Sequence, residues 1–445
     1  MSLSTASSIA QSGLNTVTAE SSVLSRNITG ASNTATTSRK IANVITTLDG
    51  SRVAYVTRAS NLAVFGNLLL ATSASARQDA LSAGLDTLNQ TVGDVASSSS
   101  GTASGANSPA ALLSNFTNAL QSYEASPSSS TQAAAAVTAA ATLARGLNSA
   151  TATVNQVREQ ADSEIATSVQ TINALLAKLQ PVNAQIINGN ATGADVTDAQ
   201  DTRDDILTKL SHEIGITTTV GANGDMSIYT DSGATLFQGG VGRSVTFAAT
   251  NTYTPATVGN VVYADGIPIT GSSAAMPVAT GNIAGLSSLR DTLAVTYQAQ
   301  LDGIAGALIN AFAETDQLGS GPNLPGLFTT QGAASLPAST MGLAGQIMVN
   351  ASVDPSQGGN ALLLRDGGIS DTMNPNYTYN QTGDASYAAR LSQLLTNLSA
   401  PQSFSATGGI TTSANLNDYA RRPRSAGSRR SARMWRRKAP TKALF

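Results

Sequence analysis

The 445-residue chain has no cysteine and a single histidine, His212, which excludes disulfide staples, thiolate zinc sites, a cysteine nucleophile and any multi-histidine metal centre. Charged residues are 12% and aromatics 4%, so burial must rest on Ala, Leu, Val and Ile spread over many small contacts. The net charge of −2 hides an asymmetry: residues 421–445 hold ten of the 25 cations and no acid, leaving 15 against 27 acids before them, a net of −12. The start, MSLSTASSIAQSGL, lacks the basic and apolar regions of a secretory signal, and no run reaches the ~18–20 apolar residues of a membrane helix.

Residues 3–28 carry two rows at heptad spacing, Leu3, Ala10, Val17, Leu24 and Ser7, Leu14, Ser21, Ile28. This predicts a coiled-coil helix that is too weakly apolar to stand alone and needs a partner. Residues 29–61 are rich in Thr, Ser and Asn and show no clear period. Leu81, Leu85, Leu88, Val92 and Val95 predict a second helix, ended by the Ser/Gly run 97–108, with Pro109 placed to start another. From about 128 to 189 runs the longest helical pattern, with Val154, Val157, Ala161, Ile165, Val169, Ile172, Leu176 and Leu179 at 3/4 spacing. At 1.5 Å per residue it spans roughly 90 Å, which suits an elongated molecule. Asn188-Gly189-Asn190 reads as a turn and 196–214 as a further helix.

At Gly215 the period changes to that of strands. Ile216–Val220, Ser227–Tyr229, Leu236–Phe237, Val245–Phe247 and Val258–Tyr263 are β-branched runs separated by glycine turns, predicting an antiparallel β module over 215–280. Helix returns at 283–315 with Leu286, Leu289, Leu293, Tyr297, Leu301, Ile304, Leu308 and Phe312. A loop-rich stretch follows, with a strand at Gln346–Ser352, then a last helix at Ala385–Leu398. The expected fold is mainly α with a β insert, an elongated multi-domain chain of long helices and coiled coil plus a small antiparallel β domain. Its expected divisions are 1–60 as a terminal coiled-coil domain, 61–214 with 281–420 as a helical rod, 215–280 as the β domain and 421–445 as a basic tail.

Candidate chemistry is sparse. His212 sits near a helix end, where the macrodipole favours it, and no convergent ligands surround it in sequence. Asp201, Asp204 and Asp205 lack the glycine and closing glutamate of a calcium loop and read as a solvated acidic helix face. Gly239-Gly240-Val241-Gly242 is a hairpin turn and not a phosphate loop, and Asp162 and Glu164, two apart, face different sides of a helix. No catalytic, cofactor-binding or metal residue is assigned, and no cofactor is expected. The tail admits three readings: an arm for nucleic acid or membrane phosphates, a solvated tail, or a sequence out of its proper frame.

Several blocks carry a family resemblance. The helix entering Ser25-Arg26-Asn27-Ile28 looks like the start of flagellar axial proteins, although Gly30-Ala31-Ser32-Asn33 departs from their tight turn. Thr202-Arg203-Asp204-Asp205-Ile206-Leu207-Thr208-Lys209-Leu210-Ser211, followed by Asn223-Gly224-Asp225-Met226-Ser227-Ile228-Tyr229, resembles the arginine-aspartate helix and hairpin of the FlgK family, flagellar hook-associated proteins of the hook–filament junction. Gly281-Asn282-Ile283-Ala284-Gly285-Leu286, Arg290-Asp291 and Leu301-Asp302 resemble that family's second block. The motif positions carried over are Arg203, Asp204, Leu207, Leu210, Arg290, Asp291, Leu301 and Asp302, over a resemblance that spans roughly residues 1–420.

The resemblance implies a structural axial protein, exported through the flagellar type III apparatus without a cleaved signal and forming a ring of like subunits. Its implied partners are itself, the hook protein, the second junction protein and an export chaperone, with no nucleic acid and no membrane insertion. It also implies that helices from the two chain ends pair, so Leu3, Ala10, Leu14, Val17, Leu24 and Ile28 become an assembly seam. The alternatives are another axial protein (second junction protein, hook or filament) or a secreted adhesin-like surface protein. An enzyme is disfavoured because no nucleophile–base pair, acid/base pair or metal set is present.

After Asn415-Leu416-Asn417-Asp418-Tyr419-Ala420 the family continues into a long C-terminal helix, where this chain has its basic tail. Back-translating 423–445 with allowed codons and reading from each third base gives SVGWLEAQRQDVEAEGTYQGAL, an acidic, helix-forming segment. The first two bases of each codon are nearly fixed by the residues, so the expectation is a shifted reading frame beyond residue 421.

Overall fold

The computed structural model describes residues 3–33, 37–48, 50–92, 108–250, 252–331, 333–409 and 411–421. In chain order the elements are α1 (Leu3–Gly30), β1 (Lys40–Thr47), β2 (Gly50–Arg58), α2 (Leu62–Val92), α3 (Pro109–Ala125), α4 (Ser130–Thr192) and α5 (Thr197–Glu213). Then come β3 (Ile216–Val220), β4 (Met226–Thr230), β5 (Thr235–Gln238), β6 (Val241–Gly242), β7 (Val245–Thr246), β8 (Tyr263–Ala264), β9 (Ile267–Pro268), α6 (Asn282–Ser288) and α7 (Ala294–Ala311). The last are β10 (Phe328–Thr330), β11 (Ile347–Val349), α8 (Leu363–Asp366), α9 (Ala389–Ser399), β12 (Gln402–Ser403), β13 (Ser413–Ala414) and α10 (Leu416–Arg421). The chain is mainly α with a β insert, and every strand pair among the described residues is antiparallel. It divides into two compact units, one of residues 1–81, 161–250 and 259–288, the other of 82–160, 251–258 and 289–445.

In the first unit the later part of α4 buries Ile165, Val169, Ile172, Leu176 and Leu179, the apolar stripe its 3/4 spacing predicts. The meander β3-β4-β5-β6 and the small sheet β7-β8-β9 follow. The β8–β9 turn is Asp265-Gly266, with φ of 51° and 77°, the left-handed pair that a two-residue hairpin turn demands. Asn173 on α4 grips β7 with its amide, donating to the Val245 carbonyl at 2.7 Å and accepting from the Val245 N–H at 3.0 Å. Asp162, buried on α4, accepts from the Thr250 N–H at 2.6 Å.

In the second unit α3 starts at Pro109, capped by Ser108, whose hydroxyl accepts from the Ala111 N–H at 3.1 Å. Phe116 of α3, Phe312 after α7 and Phe328 of β10 form a triangle with ring centroids 5.3–5.6 Å apart, all three fully buried. In a chain so poor in aromatics this triad gathers three of its eight phenylalanines. Phe116→Ala should lower stability by about 3–5 kcal/mol, read as a fall in the denaturant midpoint; a loss under about 1 kcal/mol would show the site closing over the gap. Arg158 of α4 fixes the 251–258 segment: its guanidinium donates to the Thr254 and Thr257 carbonyls at 2.9 and 2.5 Å and lies 4.5 Å over the Tyr253 ring.

The structure differs from the sequence reading in several places. Residues 29–61 contain the hairpin β1–β2, and α2 begins at Leu62, well before Leu81. Asn188-Gly189-Asn190 lies inside α4, which continues to Thr192 and stops at Gly193 with φ of +75°. Of Val258–Tyr263 only Tyr263 enters a strand; the Val262 N–H instead donates to the Thr270 hydroxyl at 2.9 Å. The 283–315 helix is broken by a π turn, Leu289–Leu293, and the 385 helix begins at Ala389. Val95, the Ser/Gly run through 107 and the basic tail from 422 onward lie outside the described residues.

Candidate functional site: the terminal helix and its seat

The helix α1 has two opposite stripes. Ile9, Ser12, Thr16, Val23 and Asn27 recur at helical spacing and seat the β1–β2 hairpin. Thr16 and Val23 are buried there; the Ser12 hydroxyl accepts from the Ser51 N–H at 3.2 Å and the Thr16 hydroxyl bonds the Ser51 carbonyl at 2.6 Å. The Asn27 amide brackets the Lys40 backbone with two bonds of 2.8 Å. Gly50, at φ +126°, passes so close that a Cβ there would lie 1.8 Å from the Ser12 hydroxyl, so only glycine fits. Small polar residues allow this close seat.

The heptad row lies on the other side. Leu3, Leu14, Val17, Leu24 and Ile28 are 58–90% exposed, and Ala10 is exposed with them. Within the described residues the seam has no partner helix, and the face that packs internally is the polar one. Most large exposed hydrophobics among the described residues fall before residue 71.

A charged network ties this layer to α5. Arg26 on α1 meets Asp195 at 2.6 Å and Asp198 at 2.7 Å. Lys40 on β1, buried, meets Asp198 and Asp201 at 2.9 Å each. Arg58 at the end of β2 meets Asp201 at 3.1 Å and Asp204 at 2.7 Å. Asp201 also accepts from the Ser38 hydroxyl at 2.6 Å and the Ser38 N–H at 3.2 Å. The solvated reading of the acidic face therefore fails for Asp201, which is buried and counters the buried Lys40 and the nearly buried side chain of Arg58.

Burial by itself raises the Asp195, Asp198 and Asp201 carboxyls, but bonds from Arg26, Lys40 and Ser38 outweigh it and hold all three below the usual aspartate value. Burial likewise opposes charge on Lys40, yet Asp201 and Asp198 hold it above the ordinary lysine value, and Arg26 is raised in the same way by Asp198 and Asp195. Depressed carboxyls contribute stability above about pH 4 that is lost as pH falls through their folded values; the raised cations contribute below about pH 10 and lose it only above. The denaturant midpoint should fall below about pH 4, and less steeply in Asp201→Asn. Identical acid limbs in the two proteins would remove the network from the account.

The motif positions are placed as follows. Leu207 and Leu210 are core residues of α5, and Arg203 beside them is buried. Arg290, with no exposed surface, holds Asp291 through two bonds of 2.8 Å. Neighbours in sequence diverge on a regular helix, and here the pair lies within the π turn. Leu301 is buried, and Asp302 accepts from the N–H groups of Gly342 and Ala344 at 2.8 and 3.0 Å, anchoring that loop. His212 is exposed, with Nδ1 3.1 Å from a Glu213 oxygen. Among the described residues no cluster of three or more His, Cys, Asp or Glu is placed to hold a metal, and no helix is long and apolar enough to cross a membrane. Sequence reasoning missed Lys40 and Arg58 and read Asp201 as solvated, because their pairings cross more than 140 residues; the only signal was a cation at each end of the hairpin.

The model of the flagellar hook-associated protein FlgK helical domain matches residues 100–326. The flagellar hook junction protein FlgK from Burkholderia pseudomallei has a similar structure, with TM-score 0.44 and 21% identity over 60% of this chain, which spans 46% of that protein's length. A search of curated proteins finds no match. With half of its length matched by the family model, the chain belongs to the FlgK family of flagellar hook-associated proteins.

Proposed function

We propose that this chain is a subunit of the junction between flagellar hook and filament, working by packing against its neighbours. The family is one of structural flagellar proteins and not of enzymes. The observation that carries the reading is the apolar stripe of α1, Leu3 to Ile28, uncovered among the described residues, on a helix held from its other side by the hairpin and the α5 aspartates. A stripe presented on a fixed support is suited to packing between subunits. In this reading residues 1–60 form the inner terminal domain, 61–214 with 281–420 the helical rod and 215–280 a separate β domain. The subunit leaves the cell by type III export with a chaperone, acts outside it, and contacts its own copies, the hook protein and the second junction protein.

Complementation tests this. In cells deleted for the gene, the chain with its frame restored beyond codon 421 should restore attached filaments and swimming; filaments still shed into the medium, with that protein present in the cells, would refute it. Sequencing the encoding DNA around codon 421 tests the shifted frame: an insertion or deletion there supports it, and an intact frame in independent isolates ends it.

A further inference from the structure

A groove of about 560 Å³ opens in the first unit beside the terminal layer, bordered by β2, the start of α2, α5 and β3. Three large apolar side chains on its border, Tyr55, Leu62 and Val220, are 52–68% exposed. Arg203 lines it and is 5% exposed. The guanidinium is under-partnered: Nη1 makes one bond of 3.3 Å to the Gly224 carbonyl, and Nε makes no hydrogen bond, with an Asp204 oxygen 3.6 Å away. Asp204 is engaged at 2.7 Å by Arg58, the second cation of the groove. Burial lowers the affinity of Arg203 for its proton; Asp204 opposes this and Arg58 adds to it, and the balance stays below the ordinary arginine value. A buried guanidinium with spare donors, ringed by exposed apolar groups, is built to receive a carboxylate carried on an apolar segment.

The α1 helix offers such a segment. Glu20 is its only acid, is exposed, and has no partner among the described residues. It lies between Val17 and Leu24, at i−3 and i+4, on the exposed side. We infer that in the assembled protein the Val17–Glu20–Leu24 face of one copy seats in the groove of the next, with the Glu20 carboxylate on Arg203 and the Val17 and Leu24 side chains against Tyr55, Leu62 and Val220. Donor face and receiving groove are different surfaces, so the contact is heterologous and repeats head to tail, as a ring or helical stack requires. The inference rests on the junction reading and specifies which surfaces meet.

The absence of native cysteine gives a direct test. Leu24→Cys and Val220→Cys are made in separate copies, co-expressed in cells deleted for the gene, and flagella are isolated and oxidised. A mixed disulfide dimer is expected only when both variants are present. Its yield should drop severalfold with Glu20→Arg on the Leu24→Cys copy and recover when Arg203→Glu is added to the Val220→Cys copy. Circular dichroism of the purified Arg203→Glu protein checks that it folds; if it does not, Arg203→Met takes its place and should lower the yield as Glu20→Arg does. Flagella that contain both variants but yield no mixed dimer, or a dimer indifferent to charge reversal, overturn this contact and leave the junction reading standing. Flagella that contain neither variant, nor the parent chain, overturn the junction reading and this contact with it.

Discussion

Leu14→Asp and Leu24→Asp should each leave the fold unchanged and remove the chain from flagella. Both side chains are more than half exposed on α1, so a charge there costs the isolated molecule within about 0.5 kcal/mol. In an assembly the same carboxylate is buried without a partner, which disfavours packing by several kcal/mol. The check is a pair of measurements on one protein: an unchanged denaturant midpoint, and absence of the variant from purified flagella together with shed filaments. Normal incorporation of both variants would mean that the exposed stripe is not an interface.

Asp201→Ala should be the most damaging single change in the terminal layer. It leaves Lys40 and Arg58, both nearly buried, without their shared counter-charge. Removing one partner of a buried pair costs about 3–5 kcal/mol, and the remaining bonds to Asp198 and Asp204 place this case near about 3 kcal/mol. The loss should be local: limited proteolysis between α1 and α2 should quicken, while cleavage of the second unit stays as before. Uniform protection in both proteins would show the hairpin held by apolar contact alone.

How much was legible follows from how each element is stabilised. The α4 stripe from Val154 to Leu179 is buried throughout because a long helix with one apolar face advertises itself at 3/4 spacing. Pro109 marked the α3 start through local chemistry alone, and the structure adds Ser108 as its cap. The β1–β2 hairpin was not found because its inner face packs on Ser and Thr of α1, so no apolar alternation stands out; the Asp49-Gly50 pair was its one turn signal. The charged network was illegible for a different reason, since Lys40 and Asp201 pair across 161 residues and no periodicity records such a contact. The heptad row of α1 was legible as a stripe, and the structure adds that the side packed among the described residues is the Ser- and Thr-bearing one.

The central claim, that this is a junction subunit, is tested most directly by immunogold electron microscopy of isolated flagella with an antibody raised against the purified chain. The account predicts label in one narrow band where hook meets filament, in every intact flagellum and absent from the deletion strain. Label spread along the filament, or confined to the cell surface with the hook–filament boundary bare, would contradict it.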